Sequence, residues 1–132
     1  MNVEVDFSNQ IIAMNSLGPL YKLIQFQFQF KVFHWQTYSF AQHKTFGKLY
    51  DILDELIDTF VETYQGAYGR IDFQGVNFVF NNLESSNFKN ILQDNIDSLT
   101  SWDNYFKNTD LLNIRDEILG SLNRAAYLLT LN

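Results

Sequence analysis

The sequence predicts an all-α domain, a four-helix bundle with one longer link between its second and third helices. Apolar residues recur at helical spacing over most of the chain. A single proline, Pro19, in 132 residues leaves long helices uninterrupted. Aromatic residues make up 17% of the chain, which suits helix packed on helix. The length fits one domain, residues 1–132, and is too short for two ordinary ones.

The elements follow in order. Residues 1–10 are expected as a loose arm, and Ser16-Leu17-Gly18 ahead of Pro19 marks the start of the first long helix. Gln25 to Phe30 alternates strictly, the pattern of a strand. At 100° per residue the same segment instead gives two apolar stripes. Leu23, Phe26, Phe30 and Phe33 form one, and Ile24, Phe28 and Val32 the other, as in a helix packed into a bundle and against a second subunit. Gln27, Lys31 and His34 form a polar strip between them.

Ser39-Phe40-Ala41-Gln42 has the form of a capping box, and the helix it opens is the clearest in the chain. Leu49, Ile52, Leu53, Leu56, Ile57, Phe60, Val61 and Tyr64 repeat at spacings of three and four, until Gly66 and Gly69 offer a stop. The link that follows, about 15 residues, is long enough to cross the bundle. Within it Val76–Phe80 reads as a short helix or an extended stretch. Ser85 or Ser86 caps a third helix with Phe88, Ile91, Leu92, Ile96, Leu99, Trp102 and Phe106 inward. Thr109-Asp110 opens a fourth, with Leu112, Ile114, Ile118, Leu119, Leu122, Ala125, Ala126 and Leu129 as its apolar positions.

Composition excludes several functions. Hydrophobic residues at 46% and charged residues at 18% describe a core-forming chain, not a disordered one. There is no cysteine, hence no disulfide, thiolate zinc site or cysteine nucleophile. The net charge of -6 disfavours DNA and anionic membranes as partners and favours cations. Met1–Gln10 lacks a basic region, so no signal peptide is expected, and nothing approaches a membrane span. A cytoplasmic protein is the expectation. Signatures of nucleophilic hydrolases, phosphate loops and dinucleotide folds are missing.

On the second helix the carboxylates Asp51, Asp54, Glu55, Asp58 and Glu62 fall between about 140° and 240° from Leu49, away from the apolar arc. That is a solvated acidic face or a cation site. Asp58 and Glu62, four residues apart, present two carboxylates to one point, as a hard or borderline cation requires. His43 lies on the same side, but 15 residues before Asp58, about 22 Å along a helix. Both cannot ligate one ion within one chain. An antiparallel twofold partner would bring His43 of one copy beside Asp58 and Glu62 of the other, and symmetry would make two such sites. His34, near the end of the first helix beside Trp35, is either a hydrogen-bonded packing residue or a second imidazole for that site.

With these residues in hand the chain resembles the Dps family, the small twelve-subunit ferritins. The resemblance rests on His34-Trp35 at the end of the first helix, then His43, then Asp58-Thr59-Phe60-Val61-Glu62. It covers residues 20–65, and the last two helices by general pattern. It implies a ferritin-like bundle assembled from twofold dimers into a twelve-subunit cage. It further implies Fe(II), or another divalent cation in its place, held by His34 and His43 of one subunit and Asp58 and Glu62 of the next. Peroxide or dioxygen would take the electrons, and Fe(III) would be stored inside. Trp35 would intercept radicals or serve as a core aromatic, with Lys31 in support.

Two departures stand out. The interval between the histidines is three residues shorter than is common in the family. The acidic ligand usual four residues after the second histidine is Gly47 here, leaving Asp51 or Asp54 to compensate from the next turn. Residues 1–21 contain no Lys or Arg, so the DNA condensation of some relatives is not expected. The rival readings are a ferritin-like bundle without efficient oxidation, serving as a structural or interaction protein, and an acidic helical protein that engages a basic partner.

Overall fold

A computed structural model describes the backbone of residues 3–131 and the side chains of residues 17–131. Four helices carry the chain: α1 (Val3–Gln36), α2 (Phe40–Tyr68), α3 (Phe88–Thr100) and α4 (Thr109–Leu128). Short 3₁₀ turns occupy Leu83–Ser85 and Ser101–Asn104. Among the described residues all regular structure is helical, as expected. No helix among them is long and apolar enough to cross a membrane.

α1 packs against α2 and α3, and α4 packs against the same two. Short turns join α1 to α2 and α3 to α4, whereas the 19 residues 69–87 join α2 to α3. This link runs back along α1, from Asp72 beside Tyr21 to Asn82 beside Gln36. α3 therefore starts at the end where α2 starts, and the helices run up, down, down, up. Apolar side chains from all four meet in one core. Phe30, Phe33, Phe46 and Phe88 form an aromatic node towards one end, and Phe60, Trp102, Phe106 and Tyr64 a second towards the other.

Several boundaries differ from expectation. α1 does not begin at Ser16-Leu17-Gly18 but passes through it, with Pro19 inside the helix. Proline removes one N–H and crowds one carbonyl. Leu17, Leu20 and Leu23, buried on both sides of it, keep this turn in register with the core. Of the expected arm, residues 3–10 belong to the backbone of α1, and Met1 and Asn2 lie outside the described residues. Gly66 does not stop α2; Gly69 caps it, with a φ of 90° and its N–H on the Gln65 carbonyl. Asn87, not Ser85 or Ser86, caps α3, while both serine hydroxyls donate to the Asn82 carbonyl. α3 is only 13 residues long, and Trp102 reaches the core from the 3₁₀ turn beyond it. In α4 Leu111 is fully buried, a core position the apolar repeat did not include.

The Gln-Phe alternation that imitates a strand has a helical explanation. Phe26, Phe30 and Phe33 face the core. Gln25, Gln29 and Gln36 lie within about 40° of one another on a flank of the helix, and all three bind the link. Gln29 makes a two-way amide pair with Asn81, its Nε2 donating to the carbonyl at 2.9 Å and its Oε1 accepting from the N–H at 2.8 Å. Gln25 accepts from Val79 N–H, and Gln36 accepts from Leu83 N–H. Gln27 is buried on the opposite flank, donating to Asp54 of α2. Val76–Phe80 is accordingly a non-helical stretch of link.

Gln29→Leu keeps a buried side chain but strips both partners from Asn81. The expected loss is about 1–3 kcal/mol, read from urea unfolding, with faster amide exchange at Asn81 as the local signature.

Candidate functional site

The turn between α1 and α2 sets the site. Ser39 caps α2 by accepting from Gln42 N–H, but the other half of the expected capping box is absent. The Gln42 side chain bonds the Thr37 hydroxyl instead, and Thr37 Oγ1 accepts from Ser39 N–H. This tight corner brings the last turn of α1 against the first of α2.

His34 and His43 meet across it. Their rings stack with centroids 3.9 Å apart and planes 16° from parallel. His34 Nδ1 lies 2.6 Å from the His43 carbonyl oxygen, and His43 Nδ1 lies 2.8 Å from the His34 carbonyl oxygen. A carbonyl only accepts, so each Nδ1 carries the donated proton, and in the neutral ring the lone pair sits on Nε2. Each imidazole is thereby oriented by a backbone group, with the other nitrogen left as an acceptor. The pairing also serves the fold. The His34 carbonyl belongs to the last turn of α1, where helix carbonyls lack helical partners.

Gly47 explains how the rings fit. A Cβ built there would stand 2.7 Å from both Nδ1 and Cε1 of His34. The His43 carbonyl points along α2 towards residue 47, so a ring bonded to that carbonyl passes over the Gly47 backbone. Gly47 is therefore the floor on which His34 rests, and an acidic side chain there would collide with that ring.

The pair opens onto a hollow of about 400 Å³ bordered by Lys31, Phe40, Lys44, Lys48 and Asp51. Three lysines against one acid make it electropositive. Lys31 is held over two rings, 4.7 Å from the centroid of Tyr50 and 5.7 Å from that of Trp35. Trp35 is 68% exposed, so it is not a core aromatic. Phe28 is 40% exposed and meets Tyr50 edge-on, so the second apolar stripe of α1 is only partly covered within one chain.

The predicted carboxylates are distributed as follows. Asp51 borders the histidine hollow, and Asp54 accepts from Gln27 at 3.1 Å. Asp58 and Glu62 are exposed on the outer face of α2, remote from the histidines of the same chain. Among the described residues none of these four, nor Glu55, forms an ion pair. Within the described residues of one chain no three His, Asp or Glu side chains gather around a common point. The structure thus joins His34 to His43 and leaves Asp58 and Glu62 apart. Sequence reasoning singled out Lys31 but missed Lys44, Lys48 and the role of Gly47. The short loop between the two histidines was the available signal.

Two phenols on α1 and α2 have a consequence in alkali. Burial, then Asp54 and Asp51, push the Tyr50 hydroxyl above its ordinary 10.0. Burial, then Asp72 and Tyr64, do the same for Tyr21, whose hydroxyl donates to the Asp72 carbonyl. A raised folded-state pKa means that the unfolded chain ionises first. Stability is then intact below about pH 10 and falls as the pH rises through the folded values. Tyr21→Phe and Tyr50→Phe together are expected to flatten that alkaline decline, followed as melting temperature against pH.

The chain belongs to DUF5856, a family of unknown function that matches residues 34–129. The matched region begins at His34 and takes in the whole of α2, α3 and α4. No curated protein and no solved structure matches the chain.

Proposed function

We propose that the chain is a ferritin-like, Dps-type miniferritin that oxidises Fe(II) between two subunits and stores Fe(III) in a hollow homo-oligomer. The observation that carries this reading is the reciprocal anchoring of His34 and His43, which leaves both Nε2 atoms as ligand atoms. Three features support it. The helices run up, down, down, up with the long link second. Trp35 and Phe28 are exposed on the outer face of α1. Asp58 and Glu62 stand unpaired on the outer face of α2, among the described residues.

An antiparallel second copy would set the acidic stretch of its α2 against the lysine-bordered hollow. Electrostatics favours this, because Lys31, Lys44 and Lys48 repel a cation until the partner's carboxylates offset them. His34 and His43 would hold Fe(II) through neutral imidazole, and Asp58 and Glu62 from the other copy would stabilise the ferric charge as it develops. Peroxide or dioxygen accepts the electrons. Trp35, exposed beside His34, is placed to quench radicals. Asp51 is the acid available to a second iron position, since Asp54 is already engaged. A twelve-subunit cage, built from such dimers, is the assembly proposed.

The test is anaerobic Fe(II) titration followed by tryptophan fluorescence, with peroxide then added and Fe(III) absorbance recorded. Stoichiometric quenching and fast oxidation are expected. Both should fall to the level of buffer in Asp58→Ala/Glu62→Ala and in His34→Ala/His43→Ala. A wild-type chain that neither quenches nor oxidises above buffer would sink the reading. Gly47 favours a second reading, a ferritin-like bundle without efficient oxidation that acts as a structural or interaction protein. That reading expects a cage by light scattering together with oxidation no faster than in buffer.

A further inference from the structure

A separate hollow of about 260 Å³ lies between α2 and α4. Its floor is apolar, with Leu49 and Ala125 buried and Ile52 and Leu128 beside them. Gly120 is part of its lining, and a Cβ there would meet nothing within 4 Å. Gly120 stands in the interior of α4, where glycine is a poor helix former. At the rim stand Lys48 from α2 and Arg124 from α4, neither of them in an ion pair among the described residues. Glu117 is the one acid of the lining. Two unpaired cations over an apolar floor, in a chain of net charge -6, mark this as a place for an anion with a hydrocarbon tail.

We propose that this hollow binds a single-chain amphiphile carrying a carboxylate, of the medium-chain fatty acid class. The tail lies on Leu49, Ile52, Ala125 and Leu128. The carboxylate meets the fork of Arg124 and the ammonium of Lys48, a charge-assisted pairing that the planar guanidinium suits. The volume holds roughly nine non-hydrogen atoms at about 30 Å³ each, close to the size of octanoate with its carboxylate at the open rim. The site needs no iron and no second copy.

Octanoate titrated into the full-length protein, followed by calorimetry and by amide shifts, tests this. Saturable binding is expected, with the largest shifts at Ile52 and Gly120. 1-Octanol, which keeps the tail and drops the charge, should bind about tenfold more weakly. Arg124→Gln should weaken octanoate by about tenfold; it is the variant to use because Lys48 also borders the histidine hollow. Gly120→Leu should abolish binding while leaving the melting temperature equal or higher, since leucine is the better helix former. The proposal is overturned if the wild type shows no saturable binding, or if octanol binds as tightly as octanoate. It is overturned equally if Arg124→Gln or a folded Gly120→Leu binds octanoate like the wild type.

Discussion

Gly47→Ala is expected to destabilise the protein by about 1–2 kcal/mol, reversing the sign that helix propensity alone would give. A glycine inside a helix ordinarily costs roughly 0.5–1 kcal/mol against alanine. Gly66 and Gly120 are helical positions where a Cβ would meet nothing within 4 Å, so alanine there should stabilise. At Gly47 the same methyl group falls 2.7 Å from the His34 ring. The ring must leave, losing its hydrogen bond to the His43 carbonyl and its stack on His43. Urea unfolding of the three alanine variants, compared in one set, checks the reversal. Iron binding should follow: Gly47→Ala is expected to weaken Fe(II) quenching of tryptophan fluorescence. Gly47→Asp, although it supplies the acid that the proposed iron site lacks, should weaken it as well, because it displaces an imidazole. A Gly47→Ala as stable as Gly66→Ala would mean that the His34 ring does not rest on Gly47.

The second large effect is expected at Arg115. This residue is 7% exposed, yet its guanidinium reaches three groups. Nη1 donates to the Leu99 carbonyl at 2.9 Å, Nη2 to Asp103 at 3.1 Å, and Nε to Asp116 at 2.8 Å. Burial works against its charge, but the hydrogen bonds to Asp116 and Asp103 and their negative charge outweigh it, holding the pKa above the ordinary guanidinium value. One side chain of α4 therefore ties down the end of α3 and the 3₁₀ turn that carries Trp102 into the core. Arg115→Met keeps much of the volume and removes every donor. Both aspartates are well exposed and return to water at little cost. The Leu99 carbonyl is left without its partner, so the expected loss is about 2–3 kcal/mol. Urea unfolding measures it, and amide exchange should show the 3₁₀ turn opening first. Arg115→Lys should recover little, because one ammonium cannot span three acceptors.

Much of the architecture was legible because core burial imposes its period on the sequence. The spacings of Leu49 to Tyr64 and of Leu112 to Leu129 identify α2 and α4 almost residue by residue. The ends were less legible because caps compete locally. Ser85 and Ser86 could both cap α3, yet Asn87 does so, whereas α4 opens at Thr109 as expected. The alternation of Gln25, Gln27 and Gln29 imitates a strand because a helix that binds a neighbour on each flank needs polar residues two apart, and the two apolar stripes were what identified the helix. At the candidate site, composition and spacing selected His34 and His43 and placed the acids on the outside of α2. They could not show which ring nitrogen is engaged, which depends on carbonyls across a turn. Nor could they separate a missing ligand from a required gap at Gly47, because a glycine carries no trace of the ring above it.

The glutamines of α1 address the link mainly through its backbone. Gln29 binds the N–H and carbonyl of residue 81, Gln25 the N–H of residue 79, and Gln36 the N–H of residue 83. Instructions for the route are thus written on the helix, while the segment that follows the route carries few of its own. Such a strand can drift in sequence and still lie in the same place, with proline at a donating position as its main prohibition. For an engineer, residues 79–83 become a mounting rail, where foreign side chains can be displayed in fixed order along the flank of α1.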